Sequence, residues 1–307
     1  MFVFSFSLSF SNDYIIPSFD NHPIHGTLLE SAESNSVLTI IISGSGLTDR
    51  DGNNVSFKSD YLKMLAEGLY ENGVSSYRFD KRGVARSIGN IKRGDEVKFV
   101  DFINDVKSII NHFRSTKRFE KVVVVGHSEG ALIGMIASRS LADGFISVAG
   151  AGTDYLTIIQ RQLSDRAPYI RSMSDSIIQK LRNGKIIDSV SPLMSGLFNP
   201  SAQRFLIDAS GYNPIEEISK LDIPVLIIQG TNDIQIEVKD AQMLYDASIN
   251  SRLEIIKGMN HVFRQASENF ILNLQKIFHL DVSRKSINAI ENGIYVPSTR
   301  KTPQKIS

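Results

Sequence analysis

The chain contains no cysteine in 307 residues, which excludes disulfides, thiolate metal sites and cysteine nucleophiles. It has no excess of charge of either sign: 34 Lys and Arg stand against 33 Asp and Glu, for a formal net charge of +1. That balance gives no reason to expect nucleic acid or an anionic membrane as partner. No apolar run approaches the ~20 residues needed to span a bilayer, and no internal repeat is visible. What is left, 42% hydrophobic and 22% charged, is the composition of an ordinary globular protein, long enough for one large α/β core.

The first ten residues lack the marks of an export signal. No Lys or Arg precedes the apolar stretch and no small-residue cleavage site follows it. Phe2, Phe4, Phe6, Leu8 and Phe10 alternate mostly with Ser, the period of a half-buried strand. A strand is expected there, and a cytoplasmic protein.

The most informative stretch is Val122-Val123-Val124-Val125-Gly126-His127-Ser128-Glu129-Gly130. Four β-branched residues form a buried strand, Gly-x-Ser-x-Gly follows at once, and Ala131 to Ala137 reads as a small, apolar helix. Strand, turn and helix in that order describe a nucleophile elbow, which lifts a serine hydroxyl to the top of a sheet in a strained backbone conformation. Gly126 and Gly130 are expected because a Cβ at either place would crowd the neighbouring strand and helix. The pattern predicts a serine hydrolase with Ser128 as nucleophile.

Strand-like and helix-like runs alternate along the rest of the chain, which predicts a doubly wound, mostly parallel sheet covered on both faces. Strands are expected at Val37–Ile42 and at 74–79, 122–125, 145–149, 225–229 and 253–256. Helices are expected at 59–72, stopped by Gly73, and at 97–113, Val238–Ala247 and 268–278. Between Gly152 and Leu221 no buried strand is convincing. Helix-like pieces at 155–163 and 174–181 are broken at Pro168, Pro192, Pro200 and Pro214. The expected organisation is a core of residues 11–150 and 222–283, a helical cap or lid at 151–221 above the active site, and a polar, loosely held tail at 284–307.

A serine hydroxyl needs a base to take its proton as it attacks, and a histidine held by a carboxylate is the usual base. In this type of fold they follow the nucleophile in the order acid, then His. Asp233 lies in Gly230-Thr231-Asn232-Asp233, directly after a strand, and His261 lies just past the next strand in Gly258-Met259-Asn260-His261. Among the competitors, Asp222 precedes its strand, and Asp240 and Asp246 belong to the following helix. His22, His25 and His279 sit in no useful loop, His112 is on a helix, and His127 packs beside the nucleophile. The oxyanion of a tetrahedral intermediate needs two backbone donors. One is the N–H of Glu129, and the second comes from the loop after Val37–Ile42, at Ser45 or at neighbouring Gly46. A phosphate loop is the rival reading of that Gly-x-Gly, but its third glycine and a Gly-Lys-Ser/Thr are both missing.

These motifs together resemble a serine esterase of the α/β-hydrolase superfamily, from about His25 to Phe278. The chain is most similar to a bacterial esterase-like group that carries Gly-Ser-Gly-x-x-Asp-Arg-Asp-Gly, here Gly44 to Gly52. Further matches are Asp80-Lys81-Arg82-Gly83, Gly126 to Gly130, Gly230 to Asp233, and Asn260-His261. The resemblance implies the α/β-hydrolase fold and cleavage of small to medium acyl esters or thioesters, without metal or organic cofactor. The chain departs from the pattern in having Ser43 where many relatives place a His, and Gly83-Val84-Ala85-Arg86-Ser87 where Gly-x-Gly-x-Ser is common. Asp49, Arg50, Asp51, Asp80 and Arg82 either brace the two loops as ion pairs, or Arg50 or Arg82 meets an anionic part of the substrate. Glu129 either hydrogen-bonds near the pocket or caps its helix. An acyltransferase, a peptidase and a non-catalytic binding protein are the remaining readings.

Overall fold

A computed structural model describes residues 13–31, 36–91, 97–166 and 168–264. The expected strand over residues 2–10, the closing helix at 268–278 and the tail at 284–307 lie outside them. Among the described residues eight strands form one sheet in the order β1-β2-β4-β3-β5-β6-β7-β8. They are β1 (Asp13–Pro17), β2 (Pro23–Leu29), β3 (Val37–Ile42), β4 (Ser75–Phe79), β5 (Lys121–His127), β6 (Gly144–Val148), β7 (Val225–Gly230) and β8 (Ser251–Ile256). The pairs β1–β2 and β2–β4 are antiparallel, and every other neighbouring pair is parallel. This is the α/β-hydrolase fold.

The central strands are apolar at nearly every position because both faces of the sheet are covered, and their side chains alternate between two cores. On one face Leu38, Ile40, Val122, Val124 and Ile227 pack with Ile103, Val106 and Ile110 of α2 (Phe99–Thr116). On the other, Ile41, Val123, Val125, Ile146 and Leu226 pack with Leu62, Leu65 and Leu69 of α1 (Tyr61–Glu71). At ~25 cal/mol per Å² of apolar surface, burial of this kind is the dominant favourable term in folding. The elbow leads into α3 (Glu129–Ser138) on the first face.

Between β6 and β7 the chain leaves the sheet and forms α4 (Tyr155–Arg166), α5 (Arg171–Arg182), the short α6 (Ser195–Phe198), α7 (Pro200–Ser210) and α8 (Pro214–Ser219). These helices have a small core of their own, built on Leu156, Ile159, Ile178, Leu181, Phe198 and Leu206. The helices are interrupted just before Pro200 and Pro214, as expected from the sequence. Each proline opens the next helix at the first turn, where its missing N–H is no loss, and Asn199 and Asn213 cap the exposed amides. Helix α9 (Val238–Ala247) connects β7 to β8.

Chain order reverses direction across the sheet between β3 and β5, where β3 continues to β4 on one side and β5 lies on the other. Such a switch point opens a crevice at the carboxyl ends of the strands. Ile42 pairs with Gly126 at that end, so the loop after β3 and the elbow after β5 emerge side by side.

Candidate active site

Ser128 is the residue between β5 and α3, half-buried, with φ 54° and ψ −118°. A non-glycine residue there is strained and persists only because its surroundings over-determine it. Its N–H donates to Val148 O at 2.9 Å, extending the β5–β6 ladder into the turn, and its carbonyl accepts from Ala131 N–H. The two glycines are required as expected. A Cβ on Gly126 would stand 2.2 Å from Gly130 O, and one on Gly130 would stand 2.6 Å from Ser43 O.

Asp233 and His261 are brought together from loops after β7 and β8, with His261 Nδ1 2.8 Å from Asp233 Oδ2. The carboxylate also accepts from Gln229 Nε2 at 3.1 Å and from the N–H groups of Gln235 and Ile236 at 2.8 and 3.0 Å. Burial pushes the Asp233 carboxyl up, but His261 and these amide donors outweigh it and hold the carboxyl below its usual range. A carboxylate can only accept, so His261 Nδ1 carries the proton and the Nε2 lone pair is left for chemistry. Gly230 is needed for this approach, because a Cβ there would lie 2.0 Å from Met259 O in the loop that presents His261.

His127 lies beneath these loops. Its Nε2 is 2.8 Å from His261 O, and its Nδ1 is 2.9 Å from the Tyr61 hydroxyl. A carbonyl has no proton to give, so Nε2–H donates to His261 and Nδ1 accepts from Tyr61. Burial holds the His127 pKa well below the ordinary value, and the adjacent His261 adds to this, so the ring is neutral as the pattern requires. One chain of bonds thus ties α1, the elbow and the His261 loop. Sequence reading assigned His127 only a packing role and did not single out Tyr61. The one sequence signal for His127 is its place inside the pentapeptide.

The loop Ser43 to Gly46 passes directly over Ser128. A Cβ on Gly44 would lie 3.3 Å from Ser128 Cβ and 3.0 Å from His127 Nδ1. Ser45 and Gly46 follow at an exposed position, Gly46 with φ 77°. The N–H of Glu129 is at the first residue of α3, where helix amides have no intrahelical partner and face the positive end of the dipole.

The charged residues around these loops are braces. Arg50 pairs with Asp13 at 2.8 Å and with Asp80 at 2.7 Å, Arg78 with Asp51 at 2.7 Å, and Arg82 with Asp20 and Asp105, both at 2.6 Å. Arg50 and Arg82 are engaged in this way and not presented to a ligand. Glu129 turns inward to Lys81 and to the Tyr155 hydroxyl, so hydrogen bonding beside the pocket is its role. Among the described residues no group of three or more His, Cys, Asp or Glu is placed to hold a metal ion, and no helix is long and apolar enough to cross a membrane.

The sheet, the elbow and the Asp–His pair define an α/β hydrolase of the serine type. Residues 58–264 match the serine aminopeptidase S33 family, and the chain belongs to it. Esterase EstD of Thermotoga maritima is 26% identical over 238 residues, 73% of this chain and 53% of that protein. The chain therefore spans about half the length of this curated relative. Among solved structures, Est1E of Butyrivibrio proteoclasticus with bound ferulic acid has a TM-score of 0.63 at 16% identity, covering 90% of this chain and 99% of Est1E. A Pyrococcus furiosus esterase has a TM-score of 0.62 at 17% identity, with 88% and 90% covered. At these identities the structures establish the fold.

Proposed function

We propose that the protein hydrolyses carboxylic esters or acyl thioesters of small to medium acyl groups, with Ser128, His261 and Asp233 as a catalytic triad. The observation that carries this reading is the strained Ser128 at the switch point, together with the 2.8 Å bond that fixes the tautomer of His261. Similarity to EstD, whose name gives its activity as an esterase, supports it.

The Ser128 hydroxyl attacks the substrate carbonyl while His261 Nε2 takes its proton. The resulting imidazolium is stabilised by Asp233, which stays ionised. The oxyanion is bound by the N–H groups of Glu129 and Ser45. His261 then passes the proton to the departing alcohol or thiol, leaving Ser128 acylated. Water, deprotonated by His261, resolves the acyl-enzyme and restores the serine. The helices between β6 and β7 act as a cap that shapes the acyl pocket, with residues 151–221 as its extent. A small-molecule substrate and a cytoplasmic location belong to the same proposal, the latter resting on the sequence alone.

The family's description names an aminopeptidase, so a peptidase is the second reading. Capture of a substrate ammonium group needs an available carboxylate, and the one beside the nucleophile, Glu129, has Lys81 on one oxygen and Tyr155 on the other. This favours the esterase. Hydrolysis of p-nitrophenyl esters from acetate to decanoate, by wild type and Ser128→Ala, tests the choice. Chain-length-dependent turnover that vanishes in the variant is expected. Release of p-nitroaniline from aminoacyl anilides without ester cleavage would replace the esterase by the peptidase.

A further inference from the structure

Lys81 is an unusual residue to find 2% exposed beside a nucleophile. It leaves the sheet just after β4, and its ammonium meets two acceptors. One is Glu129 Oε1 at 2.5 Å, the other the carbonyl of Gly44 at 2.6 Å. The Phe102 ring lies 5.2 Å from the ammonium on a third side. None of these contacts reaches a reacting atom.

What the two acceptors have in common is their place in the chain. The Gly44 carbonyl and the Ser45 N–H belong to one peptide unit, which is planar and trans, so its C=O and N–H point in opposite directions. Holding the carbonyl toward Lys81 turns the Ser45 N–H the other way. Drawing the carbonyl oxygen onto a cation also polarises the unit and strengthens its N–H as a donor. Glu129 carries the other oxyanion donor on its own backbone, and its side chain is the counterion of the same ammonium. The remaining oxygen of Glu129 accepts from the Tyr155 hydroxyl at 2.6 Å. Both donor units are thus tied, through carbonyl and side chain, to one buried cation.

We propose that Lys81 is the positioning residue of the oxyanion hole, orienting the Ser45 amide through the Gly44 carbonyl and the Glu129 amide through its carboxylate. The inference rests on the hydrolase reading above. A device that acts on the oxyanion alone leaves ground-state binding intact and weakens only the transition state, so it changes kcat and not KM.

The test compares wild type, Lys81→Met and the double variant Lys81→Met/Glu129→Gln on the p-nitrophenyl ester that wild type cleaves fastest. Inhibition by a trifluoromethyl ketone of the same acyl chain is measured beside it, since its adduct with Ser128 places an oxyanion in the hole. The double variant leaves no buried charge unpaired, so it keeps the measurement possible where the single variant folds poorly. A misplacement on the scale of an ångström is worth up to about 100-fold in rate. Expected in both variants is a fall in kcat of about 10- to 100-fold, a KM within about 3-fold, and a loss of ketone affinity that parallels kcat. Wild-type kcat and ketone affinity in the double variant would overturn the proposal, as would a loss confined to KM. Failure of the underlying reading looks different: wild type itself would show no Ser128-dependent turnover, and both proposals would fall together.

Discussion

Asp233 illustrates how much one side chain is asked to do at this site. Its two oxygens accept from His261, Gln229 and two backbone amides, so the carboxylate is fixed in position and His261 is fixed by it. Asp233→Asn keeps the size and most of the acceptors but offers an NH2 where His261 needs a proton acceptor. The imidazole is then driven to the wrong tautomer, and kcat is expected to fall about 10⁴-fold with a nearly unchanged Tm, which steady-state kinetics beside a melting curve will show. Tyr61 makes a complementary case. In Tyr61→Phe the buried Nδ1 of His127 loses its donor, and an unsatisfied buried acceptor costs about 1–3 kcal/mol. Urea unfolding is expected to show a destabilisation in that range, and kcat to fall only several-fold, because no reacting atom is touched.

At the scale of elements, the elbow is the part least tolerant of change. Gly126→Ala drives a Cβ to within 2.2 Å of a backbone oxygen in the next helix, and neither partner is the end of a flexible side chain. The strand and α3 must separate, and the expected result is a loss of about 3 kcal/mol or more, seen as a lowered urea midpoint and loss of Ser128 labelling by a fluorophosphonate. This element was legible in the sequence because its constraints are local: four valines, two glycines and a helix follow one another in the chain. β3 and α9 were legible to the residue for the same reason, with compact apolar runs and clear flanks. β1 and β2 were not, since only Ile16, Ile24 and Gly26 of these strands are buried and the other positions are partly or fully exposed. The interruptions at Pro200 and Pro214 were legible, but that each proline opens a helix was not, because that depends on the asparagine cap before it. Lys81 was out of reach altogether. It lies within Asp80-Lys81-Arg82-Gly83, yet its meaning depends on Gly44 and Glu129, residues that only the fold brings to it.

For the whole molecule, the antiparallel edge is attached to the parallel core through Arg50, which joins Asp13 on β1 to Asp80 after β4. Burial pushes the Asp13 carboxyl up, but hydrogen bonds from His25 and Arg50 prevail and bring it from 3.8 down to about 2. A carboxyl held low in the folded state contributes its full stability above pH 3.8 and loses it as the pH falls toward 2. Asp13→Asn is therefore expected to be less stable than wild type at pH 7, by about 1–2 kcal/mol. Its Tm is also expected to fall less steeply than that of wild type between pH 4 and pH 2, as calorimetry across that range will show.

The helices between β6 and β7 begin and end on strands that are direct neighbours, Val148 being paired with Ile228. To the sheet, everything between them is one closed loop. The entropy of closing a loop grows only with the logarithm of its length, about 0.6 kcal/mol for each doubling. Length and sequence can therefore drift there at little expense to the core, provided Tyr155 keeps its hold on Glu129. An insertion tethered in this way can be rewritten while the sheet beneath it, and the placing of Ser128, Asp233 and His261, is inherited unaltered.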